Sequence, residues 1–284
     1  MINQDQLIGT GVLPGKGFDL SDRVALVTAS GANGGIGHAC ALCLARAGAH
    51  VVTNSRGQDH CRQTSEEIRA LGRKSIAVAG DIGKREDVAN LFAELDRAFG
   101  HIDILVNNAG IGARARPEEL SLEDWHHVIA VNMTGTHLCC LEAHRRMTSQ
   151  GTGGSIVNIG SIAGCLSLGR GNYVYAATKA AVHQMTRDLA VEWASDGIRV
   201  NAVVPAQILT PRMQDWLEDP ESNAEGLMKD FLHGIPMNRL GLPDEVAAAV
   251  LFLASDAAPF TTGTLLPVDG GNLALNAGGS HMWP

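Results

Sequence analysis

The 284-residue chain carries 22 Lys+Arg against 30 Asp+Glu, a formal net charge of −8, with 45% hydrophobic and 18% charged residues. That composition supports a large core and excludes a wholly disordered chain. The acidic balance argues against broad nucleic-acid or anionic-membrane binding. No apolar run approaches the roughly 18 residues of a membrane-spanning helix. The first residues lack the basic-then-apolar layout of a secretory signal. The six cysteines of so long a chain do not make a disulfide scaffold. A reducing, cytoplasmic setting is expected.

Residues 1–20, with Gly9, Gly11, Pro14, Gly15 and Gly17, read as an irregular N-terminal arm. Strands are predicted at Val24–Thr28, His50–Thr53, Ser75–Ala79, Ile102–Val106, Ser155–Ile159, Ile198–Val204 and Thr264–Val268. Between them, helices are predicted over 35–47, 59–71, 84–98, 121–147, 173–195 and 243–255. In the third helix, Val88, Leu91, Phe92, Leu95 and Phe99 recur at three- and four-residue steps and form one apolar stripe. Pro243 and the acidic pair Asp244-Glu245 suit the first turn of the last helix. The strands are apolar throughout, as expected when helices cover both faces of a sheet. Strand–helix alternation implies right-handed crossovers and parallel pairing. The fold class is therefore α/β: a single-domain Rossmann fold with a doubly wound, parallel, seven-stranded sheet. The domain spans 21–271. An excursion at 206–240, with Pro211, Trp216, Pro220, Phe231 and Pro236, is expected to be partly helical and to cover the substrate. A tail follows at 272–284.

The first strand runs into Ser30-Gly31-Ala32-Asn33-Gly34-Gly35-Ile36-Gly37, and a helix follows. Glycines there let the backbone approach a pyrophosphate, and the helix N-terminus offers it free N–H groups. The second strand ends in Thr53-Asn54-Ser55-Arg56. A carboxylate at the Ser55 position would bind the ribose hydroxyls of NAD. Its absence, with Arg56 able to pair with a 2′-phosphate, favours NADP. A solvated surface arginine is the alternative for Arg56, which leaves NAD open.

Only two tyrosines occur, and only Tyr175 has a lysine four residues on, Lys179. That spacing puts both side chains on one helix face. A nearby ammonium favours phenolate, which suits a tyrosine to proton transfer. Ser161 ends the fifth strand and Asn107-Asn108-Ala109-Gly110 the fourth, where carboxyl ends of strands open onto a cofactor.

With these motifs the chain resembles the short-chain dehydrogenase/reductase family from about Asp22 to Gly271. Asp81, Val131-Asn132, Arg199-Val200-Asn201 and the closing Pro267-Val268-Asp269-Gly270-Gly271 complete the pattern. The resemblance implies hydride transfer between a nicotinamide cofactor and a secondary alcohol or ketone. It implies that Tyr175 is the general acid/base and that Ser161 binds the same substrate oxygen. Lys179 binds the nicotinamide ribose and depresses the Tyr175 pKa, and Asn132 holds a water that relays protons to Lys179. The cofactor site comprises Ser30, Gly31, Asn33, Gly35, Ile36 and Gly37 in the turn, then Ser55 and Arg56. Asp81 and Ile82 flank the adenine, Asn108, Ala109 and Gly110 line the adenosine ribose side, and Ile208 and Thr210 contact the carboxamide end. The substrate side comprises Ser161, Arg114, Ala206 and Gln207. A homotetramer is the expected assembly. Two departures stand out: the glycine turn is two residues longer than usual, with Ser30 where the family has Thr, and Ala206 replaces a glycine.

Cys40-Ala-Leu-Cys43 lies on an apolar helix and reads as core, not as a metal site; no metal is expected. Arg114 and Arg116 follow the Asn107–Gly110 turn and are expected near the substrate mouth, as in gluconate 5-dehydrogenase-like members of the family. A sugar, sugar acid or polyol is the expected substrate. One alternative is a 3-oxoacyl-carrier-protein reductase, with Arg114, Arg116, Arg145 and Arg146 docking an acidic carrier. Another is a non-catalytic NADP-binding regulatory protein.

Overall fold

A computed structural model describes residues 17–31, 34–219 and 224–275. Asn33, most of the predicted arm and most of the predicted tail lie outside the described residues. The elements are β1 (Val24–Val27), α1 (Ile36–Arg46), β2 (His50–Ser55), α2 (Gln58–Ala70), β3 (Ser75–Ala79), α3 (Arg85–Phe99) and β4 (Ile104–Asn107). Then come α4 (Leu122–Ile129), α5 (Thr136–Gln150), β5 (Gly154–Ile159), α6 (Tyr173–Glu192) and β6 (Ile198–Pro205). The chain continues through α7 (Pro211–Glu218), α8 (Ala224–His233), α9 (Pro243–Ala254) and β7 (Leu265–Val268). One sheet holds all seven strands in the order β3-β2-β1-β4-β5-β6-β7, and every pairing is parallel. This is the doubly wound Rossmann arrangement that the sequence predicts.

Successive strand residues face opposite sides, so the sheet separates two cores. On one side Ala25 and Val27 meet Cys40 and Leu44 of α1 and Val250 and Leu253 of α9. On the other side Leu26, Leu105 and Ile156 meet Leu91, Phe92 and Leu95 of α3 and Cys139 and Met147 of α5. Cys40, Cys139 and Cys140 are fully buried, which pushes their thiols up from the ordinary value. No cluster of metal-ligating side chains occurs among the described residues, and none of their helices is long and apolar enough to cross a membrane.

The predicted helix over 121–147 is interrupted. A π-helical segment, Ala130–Gly135, separates α4 from α5. At Gly135 a Cβ would lie 2.6 Å from the Ile82 carbonyl oxygen, so only glycine lets the segment close on the loop after β3. The wide turn carries Asn132 inward, where it is 1% exposed. The 206–240 excursion contains α7 and α8, with Trp216 and Phe231 ring centroids 6.4 Å apart. Glu245 begins α9 firmly: it accepts from the Leu242 N–H at 2.8 Å and pairs with Arg239 at 2.6 Å.

The strand order reverses at β1, which lies between β2 and β4. The crevice beyond the carboxyl ends of these strands is the natural ligand site of such a sheet. Phe92, fully buried between the sheet and α3, anchors the core beneath it. Phe92→Ala is expected to cost about 3–5 kcal/mol in urea unfolding, against less than about 0.5 kcal/mol for Leu122→Ala at an exposed position.

Candidate active site

The end of β1 is tied to the end of β4 by side chains. Thr28 Oγ1 accepts from the backbone N–H groups of Asn108 at 3.0 Å and Ala109 at 3.1 Å. Asn108 Nδ2 donates back to the carbonyls of Thr28 at 3.1 Å and Ala29 at 3.0 Å. A Cβ on Gly37 would strike the Ala29 carbonyl and this same Asn108 amide, and one on Gly31 would lie 2.7 Å from Ser55 Oγ. The turn thus needs glycine at both positions because the backbone of β1, the start of α1 and the β4 loop converge there. Ala29 itself adopts a φ of 49°.

Two cavities open along this crevice. The smaller, about 330 Å³, is lined by Gly31, Ser55, Arg56, Asp81, Ile82 and Ala109 among others. The larger, about 700 Å³, is lined by Gly35, Ile36, Gly37 and Asn108 at one end. It also holds Ser161, Tyr175 and Lys179, with Ala206, Gln207, Ile208 and Thr210 on the excursion side. Gly110 lines both. The predicted site residues from seven separate stretches of chain are therefore brought together.

Ser30 departs from expectation. It is fully buried, and its hydroxyl donates to the Val27 carbonyl at 2.8 Å and accepts from the Asn54 N–H at 3.1 Å. Its side chain fixes the turn and lines neither cavity. Thr28, which sequence reasoning passed over, performs the joining of β1 to β4. Arg116 also departs: it is exposed, pairs with Glu118 at 3.8 Å, and lines neither cavity. Arg114 does line the larger one.

A nucleotide fits the smaller cavity and the turn. The N-cap of α1, Gly35, has no side-chain cap, so the first N–H groups of the helix are left for an anion. No carboxylate stands at Ser55, and Arg56 shares the cavity with His60. Both features suit a cofactor that bears a phosphate on the ribose.

Buried polar contacts set α6 against the sheet. Asn107 Nδ2 donates to Asn158 Oδ1 at 2.9 Å, and Asn158 Nδ2 donates to Thr186 Oγ1 of α6 at 2.9 Å. Lys179 Nζ donates to the Ile159 carbonyl at 2.7 Å. Asn132 spans the gap to the β4 loop: it accepts from the Ile111 N–H and donates to the Ile111 carbonyl, each at 2.8 Å, and donates to Thr178 Oγ1 at 3.0 Å. A Cβ on Gly110 would lie 3.3 Å from Lys179 Nζ and 3.7 Å from Asn132 Oδ1, which puts both groups beside one point of the cavity wall.

Tyr175 lines the larger cavity. Burial pushes its phenol above the ordinary value, and its hydrogen bond with Ser161 pulls the other way. Lys179 Nζ lies 5.7 Å from the ring centroid and is itself driven down to about 8 by burial. Burial thus shifts both groups toward their neutral forms.

His183, one helical turn beyond Lys179, was missed. It is 2% exposed, and its Nε2 accepts from the Ser161 N–H at 3.4 Å. A Cβ on Gly160 or Gly164 would collide with its ring. The i+4 spacing from Lys179 was the available signal. Burial, then the charges of Lys179 and Arg187, drives its pKa down to about 4. Between about pH 6.5 and 4 the unfolded chain takes up a proton here that the folded chain refuses. Stability is complete above that window and is lost as pH falls through it. Unfolding free energy is expected to drop by about 2 kcal/mol from pH 7.5 to pH 5 through this residue, a slope that His183→Gln removes.

Residues 31–272 match a family model described as enoyl-(acyl carrier protein) reductase. The chain is 40% identical over 259 residues to glucose 1-dehydrogenase of Gluconobacter oxydans, covering 90% of this chain and 94% of the relative. It is 39% identical over 256 residues to 3beta-hydroxysteroid dehydrogenase 1 of Eggerthella lenta, covering 89% and 94%. A crystal structure of a gluconate 5-dehydrogenase from Burkholderia cenocepacia J2315, in complex with NADP and tartrate, superposes with a TM-score of 0.84. That protein is 34% identical, with 91% of this chain and 98% of the other covered. Sequence motifs, sheet order and these likenesses agree over the same span: the chain belongs to the short-chain dehydrogenase/reductase family of oxidoreductases.

Proposed function

We propose that the protein oxidises a secondary hydroxyl of a sugar acid or related polyol, reversibly, with NADP. The observation that carries this reading is the charge of the larger cavity. Three guanidinium groups, Arg114, Arg170 and Arg212, line it together with Ser161, Tyr175 and Lys179, against the single carboxylate of Asp230. Such a wall favours an anionic substrate. Gln207 adds a second feature. Its Oε1 is buried without a hydrogen-bond partner among the described residues, and Gln207 lines this cavity. An orphaned acceptor there suits a substrate rich in hydroxyl donors better than a flat apolar one.

This reading gives each group a role. Tyr175 takes the proton of the substrate hydroxyl as hydride leaves the carbon. Ser161 Oγ hydrogen-bonds the same oxygen and orients it. Lys179 and Asn132, beside one point of the wall, form the route by which the proton reaches solvent. Gly31, Gly35, Ile36 and Gly37 admit the pyrophosphate, and Asp81, Ile82, Asn108, Ala109 and Gly110 enclose the adenosine. Ile208 and Thr210 bound the nicotinamide end, and Ser55 and Arg56 select the 2′-phosphate. The cofactor, when bound, accepts or returns the hydride. The same reading takes 21–271 as one catalytic domain, working in the cytoplasm as a homotetramer. The exposed Val191 and Phe260 provide apolar surface for such an assembly.

Of the four arginines of the carrier-protein alternative, three are engaged with carboxylates and the fourth, Arg114, lines the larger cavity. Arg146 is held by Asp96 and Glu142, each at 2.7 Å, Arg145 by Glu142 at 3.0 Å, and Arg116 by Glu118 at 3.8 Å. A regulatory protein without turnover has no need of the assembled Ser161, Tyr175 and Lys179.

The test is cofactor absorbance during turnover of sugars, aldonic acids and alditols with NADP and NAD, and of an acetoacetyl thioester with NADPH. NADP-linked oxidation of an aldonic acid is the expected result; preferential thioester reduction would overturn the reading. Tyr175→Phe is expected to abolish turnover while NADP still quenches the protein's fluorescence. Arg56→Asp is expected to lower the NADP-to-NAD preference by about tenfold or more.

A further inference from the structure

Arg170 stands at the rim of the larger cavity in a left-handed backbone conformation, φ 57°, between Gly169 at 63° and Gly171 at 73°. A side-chain-bearing residue held there is strained, and such strain persists only where surrounding contacts impose it. The contacts are present. Asn172 Nδ2 donates to the Gly169 carbonyl at 3.1 Å, and the Ala115 N–H donates to the Gly171 carbonyl at 3.4 Å. The Arg170 guanidinium lies 5.0 Å from the ring centroid of Phe231, and its Nη2 donates to Asp230 Oδ2 at 3.1 Å. Phe231 and Asp230 belong to α8 and line the same cavity.

This ion pair is a weak strap for α8. It uses one nitrogen, and its side chains are 41% and 63% exposed. Exposed pairs of that kind contribute little to stability. A guanidinium has five N–H donors in a planar fork, so most of the donors of Arg170 remain to be used. The stacking on Phe231 holds that fork in place before any ligand arrives. Arg114 and Arg212 differ: they line the cavity with no ion-pair partner among the described residues, and ordering them costs side-chain entropy.

We propose that Arg170 is the specificity-determining residue for the substrate's anionic end: its guanidinium receives the substrate carboxylate, and Asp230 is the resting counter-ion which that carboxylate replaces. The inference rests on the reading of the substrate as a sugar acid and names the residue that reads the acid. Until a carboxylate arrives, Asp230 pairs with Arg170; a neutral polyol gains nothing by displacing it.

The experiment compares kcat/KM for D-gluconate and for D-glucitol, which carries a CH2OH in place of the carboxylate, with NADP. Arg170→Gln is expected to lower the gluconate-to-glucitol ratio by about tenfold or more, with the loss in KM, because the bidentate partner of the acid is gone. Asp230→Asn removes the competing carboxylate and is expected to raise the ratio by about threefold. Arg170→Lys keeps the charge without the fork and is expected to fall between the unaltered protein and Arg170→Gln. Should Arg170→Gln fail to fold, by thermal melting and NADP binding, the other two variants carry the comparison. An unchanged ratio, or an equal loss on both substrates, overturns the inference and leaves Arg170 a strap for α8. If the unaltered protein oxidises aldonic acids and the ratio stands still, only this inference falls. If it neither oxidises nor binds any aldonic acid, the sugar-acid reading of the proposed function falls and takes the inference with it.

Discussion

The joining of β1 to β4 through Thr28 and Asn108 is the constraint on which the site depends. A parallel sheet leaves the carboxyl ends of its strands as loops, and loops at the strand-order reversal would otherwise part. Here one hydroxyl receives two backbone N–H groups, and one side-chain amide satisfies two carbonyls. All four backbone groups are thereby paired at a place where no ladder continues. The turn after β1, the start of α1 and the β4 loop then have fixed positions. The exclusion of side chains at Gly31 and Gly37 follows from that closeness.

A second set of contacts carries the order from the sheet to the reacting groups. The Asn107–Asn158–Thr186 chain and the Lys179 contact with Ile159 set the depth of α6. His183 and the two glycines against it set the turn on which Ser161 sits. The cavity is consequently rigid on the sheet side, while its outer wall comes from α7, α8 and the loop before α6. Such a division lets one scaffold hold the proton-transfer groups constant while the outer wall decides what enters.

Much of this was legible in the sequence, for physical reasons. The strands show as β-branched apolar runs because both faces of the sheet are covered, and the helix stripes show because each helix buries one face. Tyr175 and Lys179 show because helical spacing fixes their common face. Other features depend on tertiary contacts that no local pattern encodes. Ser30 resembles a ligand of the cofactor in sequence, yet its hydroxyl is consumed by β1 and β2. The π turn at Ala130–Gly135 looks like ordinary helix until the Ile82 carbonyl is set beside Gly135. The spacing of Tyr175 and Lys179 was legible, but the burial that pushes the phenol up was not. Arg116 sits two positions from Arg114, and only the loop's path sends one to the cavity and the other to solvent.

The distribution of sulfur has a practical consequence. Cys40, Cys61, Cys139 and Cys140 are sealed in the interior, whereas Cys165 is open to solvent five residues before Arg170. An alkylating fluorophore added to the native protein therefore meets Cys165 first. The label would stand on the same loop as the rim arginine, a short tether from the cavity mouth. The fold thus supplies its own attachment point for an optical reporter of ligand entry, without an engineered cysteine.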